Sequence, residues 1–125
     1  MRIVRYQSPE GPRYGVAQGD VLHRLDGDPY GQHAVGDAVG PLAAARLLAP
    51  VTPSTIVCVG NNYNDLLAWK GLDKPEIPNV FLKGANTICG PDAEVVKPAG
   101  QRFEFEGELT LVIGRTAVAG LTLAN

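Results

Sequence analysis

A chain of 125 residues, 45% hydrophobic and 19% charged with a formal net charge of −2, is sized for one domain, or for one small domain with part of another. The near-balanced charge leaves no electrostatic footprint for nucleic acid or an anionic membrane surface. No apolar run approaches the roughly 20 residues of a membrane span, and the N-terminus lacks a signal-peptide core, so the expectation is a soluble cytoplasmic protein.

Fifteen glycines and ten prolines, a fifth of the chain, favour many short elements separated by turns. Residues 2–7, 13–17 and 21–25 read as three strands of an antiparallel meander, with Ser8-Pro9-Glu10-Gly11-Pro12 and Gln18-Gly19-Asp20 as the turns. Residues 25–40, rich in Gly, Asp and Pro, read mostly as loop. Residues 41–48 are a short helical candidate, opened by Pro41 and continued by alanines. Pro50 and Pro53 bracket a linker, which puts a domain boundary near residue 52. Residues 54–59 form a β-branched strand ended by Gly60, and a helix is expected over 63–70, closed by Gly71. An extended loop (74–78) and strands at 80–83, 93–97 and 103–113 follow, the last being the longest.

The two cysteines, Cys58 and Cys89, are expected to be reduced and buried in a chain without a secretory signal. Cys58 lies in an apolar run, where cysteine behaves as a small hydrophobe. Neither His23 nor His33 lies near a cysteine in sequence, so no zinc spacing is visible. Both histidines read as ordinary strand or loop residues.

The most informative segment is Phe103-Glu104-Phe105-Glu106-Gly107-Glu108-Leu109-Thr110-Leu111-Val112-Ile113. Read as one strand, it alternates faces: Phe103, Phe105, Leu109, Leu111 and Ile113 on one, Glu104, Glu106 and Glu108 on the other. Alternate residues lie about 6.5–7 Å apart, so the three carboxylates repel unless something positive sits between them. A hard divalent cation, Mg²⁺ or Mn²⁺, would relieve that repulsion. A solvated sheet face would do so equally. Gly107 leans towards the first reading, because a missing side chain admits a ligand or a second backbone.

Three segments in order resemble the fumarylacetoacetate hydrolase family: Ile56-Val57-Cys58-Val59-Gly60-Asn61-Asn62-Tyr63, Pro78-Asn79-Val80-Phe81-Leu82-Lys83, and Phe105-Glu106-Gly107-Glu108-Leu109-Thr110-Leu111-Val112-Ile113-Gly114. The opening, with Arg46-Leu47-Leu48-Ala49-Pro50-Val51, is similar to the family's small N-terminal domain. The resemblance implies an α+β, mainly β fold: a small β-meander domain over 1–52, then the first part of a mixed β-roll catalytic domain over 53–125. It implies that Glu106 and Glu108 supply two ligands to Mg²⁺ or Mn²⁺, with Glu104 at the margin. The family's third ligand is an aspartate that would directly follow Val118-Ala119-Gly120-Leu121-Thr122-Leu123-Ala124-Asn125.

Two departures accompany the match. Many members carry a histidine and, three residues on, a glutamate as a base dyad on a lid helix; here those positions are Leu66 and Trp69, which cannot transfer protons. Asp65, close by, can serve to support the helix's first turn. The junction Arg115-Thr116-Ala117-Val118 is shorter than the family's usual connection. The chemistry implied is hydrolysis, decarboxylation, hydration or isomerisation of β-dicarbonyl or 2-oxo acid substrates, of acylpyruvate or fumarylacetoacetate type, through a metal-held enolate, as in the catabolism of aromatic compounds. Lys83 is the candidate catalytic side chain near substrate, against the alternative of an exposed lysine at a strand end. Asn62 and Tyr63 shape the turn at the site entrance. The partners implied are a small oxo-acid and a second copy in a homodimer. The competing class is a non-catalytic fragment or pseudoenzyme acting as an interaction module, in which the apolar face of Phe103, Phe105, Leu109 and Leu111 lacks its partners.

Overall fold

The computed structural model describes residues 1–115 and 117–124. Alternating apolar and polar positions in the N-terminal third give the expected meander. Strands β1 (Arg2–Ser8), β2 (Gly11–Gln18) and β3 (Val21–Gly27) pair antiparallel through two tight turns. Two further strands complete a five-stranded sheet in the order β4-β3-β2-β1-β5, with β4 at His33–Pro41 and β5 at Leu47–Leu48. Its core is Tyr6, Val16, Ala17, Leu22 and Leu25. Gly15, in the middle of β2, is the position over which Leu22 and Tyr6 close.

The loop expected over 25–40 is instead largely strand β4. Glycine and proline are tolerated in a strand at a sheet edge or a bulge, and β4 has both conditions. It pairs only with β3, and the register shifts between Leu22 and His23 and again between His23 and Leu25. The helix expected over 41–48 shrinks to one 3-10 turn, Leu42–Ala44. Leu47 and Leu48 are drawn into pairing with Tyr6 and Arg5, and the Gln7 N–H donates to the Arg46 carbonyl at 3.0 Å. Sheet pairing overrides the alanines' helix propensity there.

Residues 1–51 and the segment from Cys89 onward form one compact unit, and Thr52–Ile88 forms another. In the second, β6 (Ile56–Gly60) pairs antiparallel with β7 (Asn79–Lys83), from Ile56↔Lys83 to Gly60↔Asn79. Helix α1, Asn64–Lys70, lies between them in sequence. Gly71 closes it in the left-handed conformation (φ +64°). The Leu72 N–H donates to the Leu67 carbonyl at 2.9 Å and the Gly71 N–H to that of Ala68 at 3.2 Å, the bond pair of a Schellman cap. Asp65 in the first turn and Lys70 in the last complement the helix dipole.

Towards the C-terminus, β8 (Glu108–Ile113) and β9 (Val118–Ala124) form an antiparallel hairpin. The strand expected over 93–97 is irregular chain. Of the long strand expected over 103–113, residues 108–113 are strand and residues 103–107 run irregularly before it. Strand β9 had no counterpart among the expected elements. Both cysteines are free, as expected, but only Cys58 is partly buried; Cys89 is exposed.

Candidate functional site

The acidic segment divides where the ladder starts. Glu108 is held in β8 on the half-buried side of the hairpin with Thr110 and Val112. Glu106 lies on the irregular approach and is exposed, and Glu104 is ion-paired and hydrogen-bonded to Arg102. The single face of three repelling carboxylates therefore does not form. Arg102 thus pairs the charge of Glu104. A Cβ added at Gly107 would meet nothing within 4 Å.

Carboxylate oxygens are hard donors of the kind that suit Mg²⁺ or Mn²⁺, and Mg²⁺ keeps several of its waters. Among the described residues no group of three or more His, Cys, Asp and Glu side chains gathers into a fuller ligand set. The donor chemistry fits the ion, and the donor count is two.

The other candidates lie in the second unit. Lys83 ends β7, is paired with Ile56 and is exposed. Asn61 turns the chain at φ +52° and its side-chain oxygen accepts from Lys70 Nζ at 3.2 Å; asparagine is among the few residues that take this conformation readily. Tyr63 caps α1, its carbonyl accepting from the Leu67 N–H at 3.0 Å. On α1, Leu67 is the buried residue, Leu66 is half-buried, and Trp69 is 75% exposed. Position 69 thus presents an indole to solvent from the helix that Gly71 caps.

Two features escaped the sequence reading. A concavity of about 890 Å³ in the first unit is lined by Asp20, Leu42, Arg46, Leu48 and Asp92 among others, and none of the candidate site residues borders it. The second is the tie between β8 and β9, where the Gly114 N–H donates to the Ala117 carbonyl at 2.8 Å. Thr116 within that junction, and Asn125 at the end of the 118–125 segment, lie outside the described residues.

Elsewhere in the first unit, the Tyr14 and Tyr30 hydroxyls are 3.0 Å apart, with their rings edge to face. Burial, then the hydrogen bond to Tyr30, push the Tyr14 phenol up to about 12. Arg24 is bonded to Asp26, which holds that carboxyl below the usual carboxylate range.

Residues 1–50 match the family model described as Rv2993c-like, N-terminal. Residues 55–122, more than half of the chain, match the model described as fumarylacetoacetate (FAA) hydrolase C-terminal. The chain belongs to the fumarylacetoacetate hydrolase family. Protein Rv2993c of Mycobacterium tuberculosis is 38% identical over 123 residues, covering 92% of this chain and 46% of that one. Human oxaloacetate tautomerase FAHD2A, mitochondrial, is 32% identical over all of this chain and 52% of its own. The crystal structure of 5-carboxymethyl-2-hydroxymuconate delta-isomerase from Mycobacterium smegmatis superposes with a TM-score of 0.79 at 32% identity, over 98% of this chain and 53% of that one. The mainly β fold is thus that of fumarylacetoacetate hydrolase family isomerases. This chain spans about half the length of the relatives it matches.

Within the family, the match to the human tautomerase runs over 163 residues against the 125 of this chain. The relative therefore holds additional residues inside the matched region. The relatives named here include a tautomerase and an isomerase, so hydrolase or isomerase chemistry is the family's range. Among the described residues no helix is long and apolar enough to cross a membrane.

Proposed function

We propose that this chain carries the metal-binding part of a family hydrolase or isomerase acting on 2-oxo acid or β-dicarbonyl substrates. The observation that carries the reading is the Glu106-Gly107-Glu108 motif at the head of β8 in a chain of this family. Glu106 and Glu108 would hold Mg²⁺ or Mn²⁺, and a cation there supplies Lewis-acid stabilisation of a developing enolate. Glu108, fixed by the β8–β9 ladder, sets the position of the first carboxylate. Glu106, on the irregular approach, brings the second. Lys83 would sit near the substrate's carboxylate or oxo group as a point charge. The small substrate, the homodimer and a cytoplasmic setting belong to the same proposal.

A second reading, a pseudoenzyme or non-catalytic module of the family, is favoured by Leu66 and Trp69. Neither side chain can move a proton, so the base of a lid dyad would have to come from elsewhere.

Calorimetric titration of Mg²⁺ and Mn²⁺ tests the metal claim. The chain is expected to give a saturable heat that is lost in Glu106→Ala and Glu108→Ala. Equal, negligible heats from all three proteins would refute it. Oxaloacetate keto–enol exchange and 5-carboxymethyl-2-hydroxymuconate isomerisation, each assayed with and without Mg²⁺, separate the two readings: metal-dependent turnover supports the enzyme, and metal binding without turnover supports the pseudoenzyme.

A further inference from the structure

Three charged side chains from separate stretches of chain border the concavity of about 890 Å³ in the first unit. Asp20 lies in the turn between β2 and β3, Arg46 directly precedes β5, and Asp92 follows Pro91. Leu42, Leu47 and Leu48, all half-buried, line the same concavity.

Backbone bonds fix its walls. The Leu42 N–H donates to the Asp20 carbonyl at 2.8 Å, and the Arg46 carbonyl accepts from the Gln7 N–H at 3.0 Å. Gly90 lies against β5: a Cβ built on it would be 3.5 Å from the Leu47 carbonyl oxygen and 3.5 Å from the Leu48 Cα. From there the chain turns, the Ala93 N–H donating to the Gly90 carbonyl at 3.3 Å. Asp92 is the third residue of that turn and takes a left-handed φ of +61°, where glycine or asparagine is usual.

Among the described residues, none of the three charged side chains forms an ion pair, with one another or elsewhere. A guanidinium and two carboxylates thus border one concavity with both signs of charge open to a ligand. Its size, apolar lining and few polar groups are those of a small-molecule site. The fork of an arginine matches a carboxylate, an aspartate accepts from an ammonium, and the leucines suit an apolar body. A ligand carrying only one sign of charge would leave the opposite requirement unmet and would be repelled by its like.

We propose that this concavity binds a small zwitterion with an apolar body, an apolar amino acid or a dipeptide of such residues. Arg46 takes the carboxylate, Asp20 and Asp92 the ammonium, and the leucines the apolar side chains. The inference does not depend on the metal reading, since Lys83, Glu106 and Glu108 do not border the concavity.

The test titrates isotope-labelled chain with L-leucine and, in parallel, with L-leucyl-L-leucine, following amide chemical shifts. Saturable shifts are expected at Leu42, Leu47, Leu48 and Asp92 with at least one probe, and the tighter probe identifies the source of the zwitterion. Its N-acetyl derivative lacks the ammonium and its C-terminal amide lacks the carboxylate; each is expected to bind at least tenfold more weakly. Arg46→Gln and Asp92→Asn should weaken binding by a similar factor. Both residues are exposed, asparagine accepts the left-handed conformation, and unchanged amide exchange in β1–β3 reports that the variants fold. The proposal is overturned if neither probe gives saturable shifts at these residues, or if both variants bind as the parent does. Charge-blocked derivatives that bind as tightly as the zwitterion would overturn it as well.

Discussion

Gly15→Ala probes how tightly the five-stranded sheet closes on itself. A Cβ at this position would lie 2.6 Å from Leu22 Cδ1, 2.7 Å from the His23 carbonyl oxygen and 3.2 Å from Tyr6 Cε1. Leu22 is almost fully buried and Tyr6 is in the core, so neither ring nor methyl has free space to retreat into. The carbonyl belongs to the neighbouring strand β3, and it moves only if β2 and β3 separate. Overpacking of this kind costs about 1–3 kcal/mol. Replacing glycine by alanine in a strand returns about 0.5–1 kcal/mol through the unfolded state. The difference of those two terms is a net loss of up to about 2.5 kcal/mol. Leu22→Ala alone is expected to cost about 2–5 kcal/mol. In its background the Cδ1 clash is gone but the carbonyl clash remains, so the cost of Gly15→Ala should shrink without vanishing. The assay is amide exchange of β1–β3 residues with urea unfolding by circular dichroism, run as a double-mutant cycle. A Gly15→Ala protein at least as stable as the parent would refute the reasoning. So would an identical cost in both backgrounds.

Gly71→Ala should cost about 1–2 kcal/mol, the penalty of a left-handed L-residue, because a Cβ there meets nothing within 4 Å and only backbone strain remains. Loss of amide protection in α1 with β1–β3 unaffected is the expected exchange pattern. Tyr14 should titrate near pH 12 when its phenolate absorbance is followed. Its folded pKa lies above the ordinary value of 10.0, so between there and about 12 the folded state holds more protons than the unfolded one. Stability is full below that window and falls as pH rises through it. Tyr30→Phe should lower the Tyr14 midpoint only in part, since burial is the larger cause; a Tyr14 midpoint at the ordinary value of 10.0 would contradict the packing described. Leu66→His with Trp69→Glu reinstates a proton-transfer pair on α1. It should raise metal-dependent turnover of oxaloacetate if the enzyme reading holds, and leave it at background if the chain is a pseudoenzyme.

Sequence patterns revealed what is local. The meander turns, the Gly71 cap and the alternation from Leu109 to Ile113 each depend on residues within a few positions, and each stands in the structure. The family was also legible, because its motifs combine residue type and order. What stayed hidden is set by distant partners. Strand β4 carries Gly36, Gly40 and Pro41 and exists because β3 offers it a bulged edge. The alanines after Pro41 lose their helix because Leu47 and Leu48 are claimed by β1. Of the acidic segment whose alternation reaches back to Phe103, the described strand is Glu108–Ile113, where it pairs with β9. Periodicity says which face a residue would take in a strand, and pairing decides whether the strand is there.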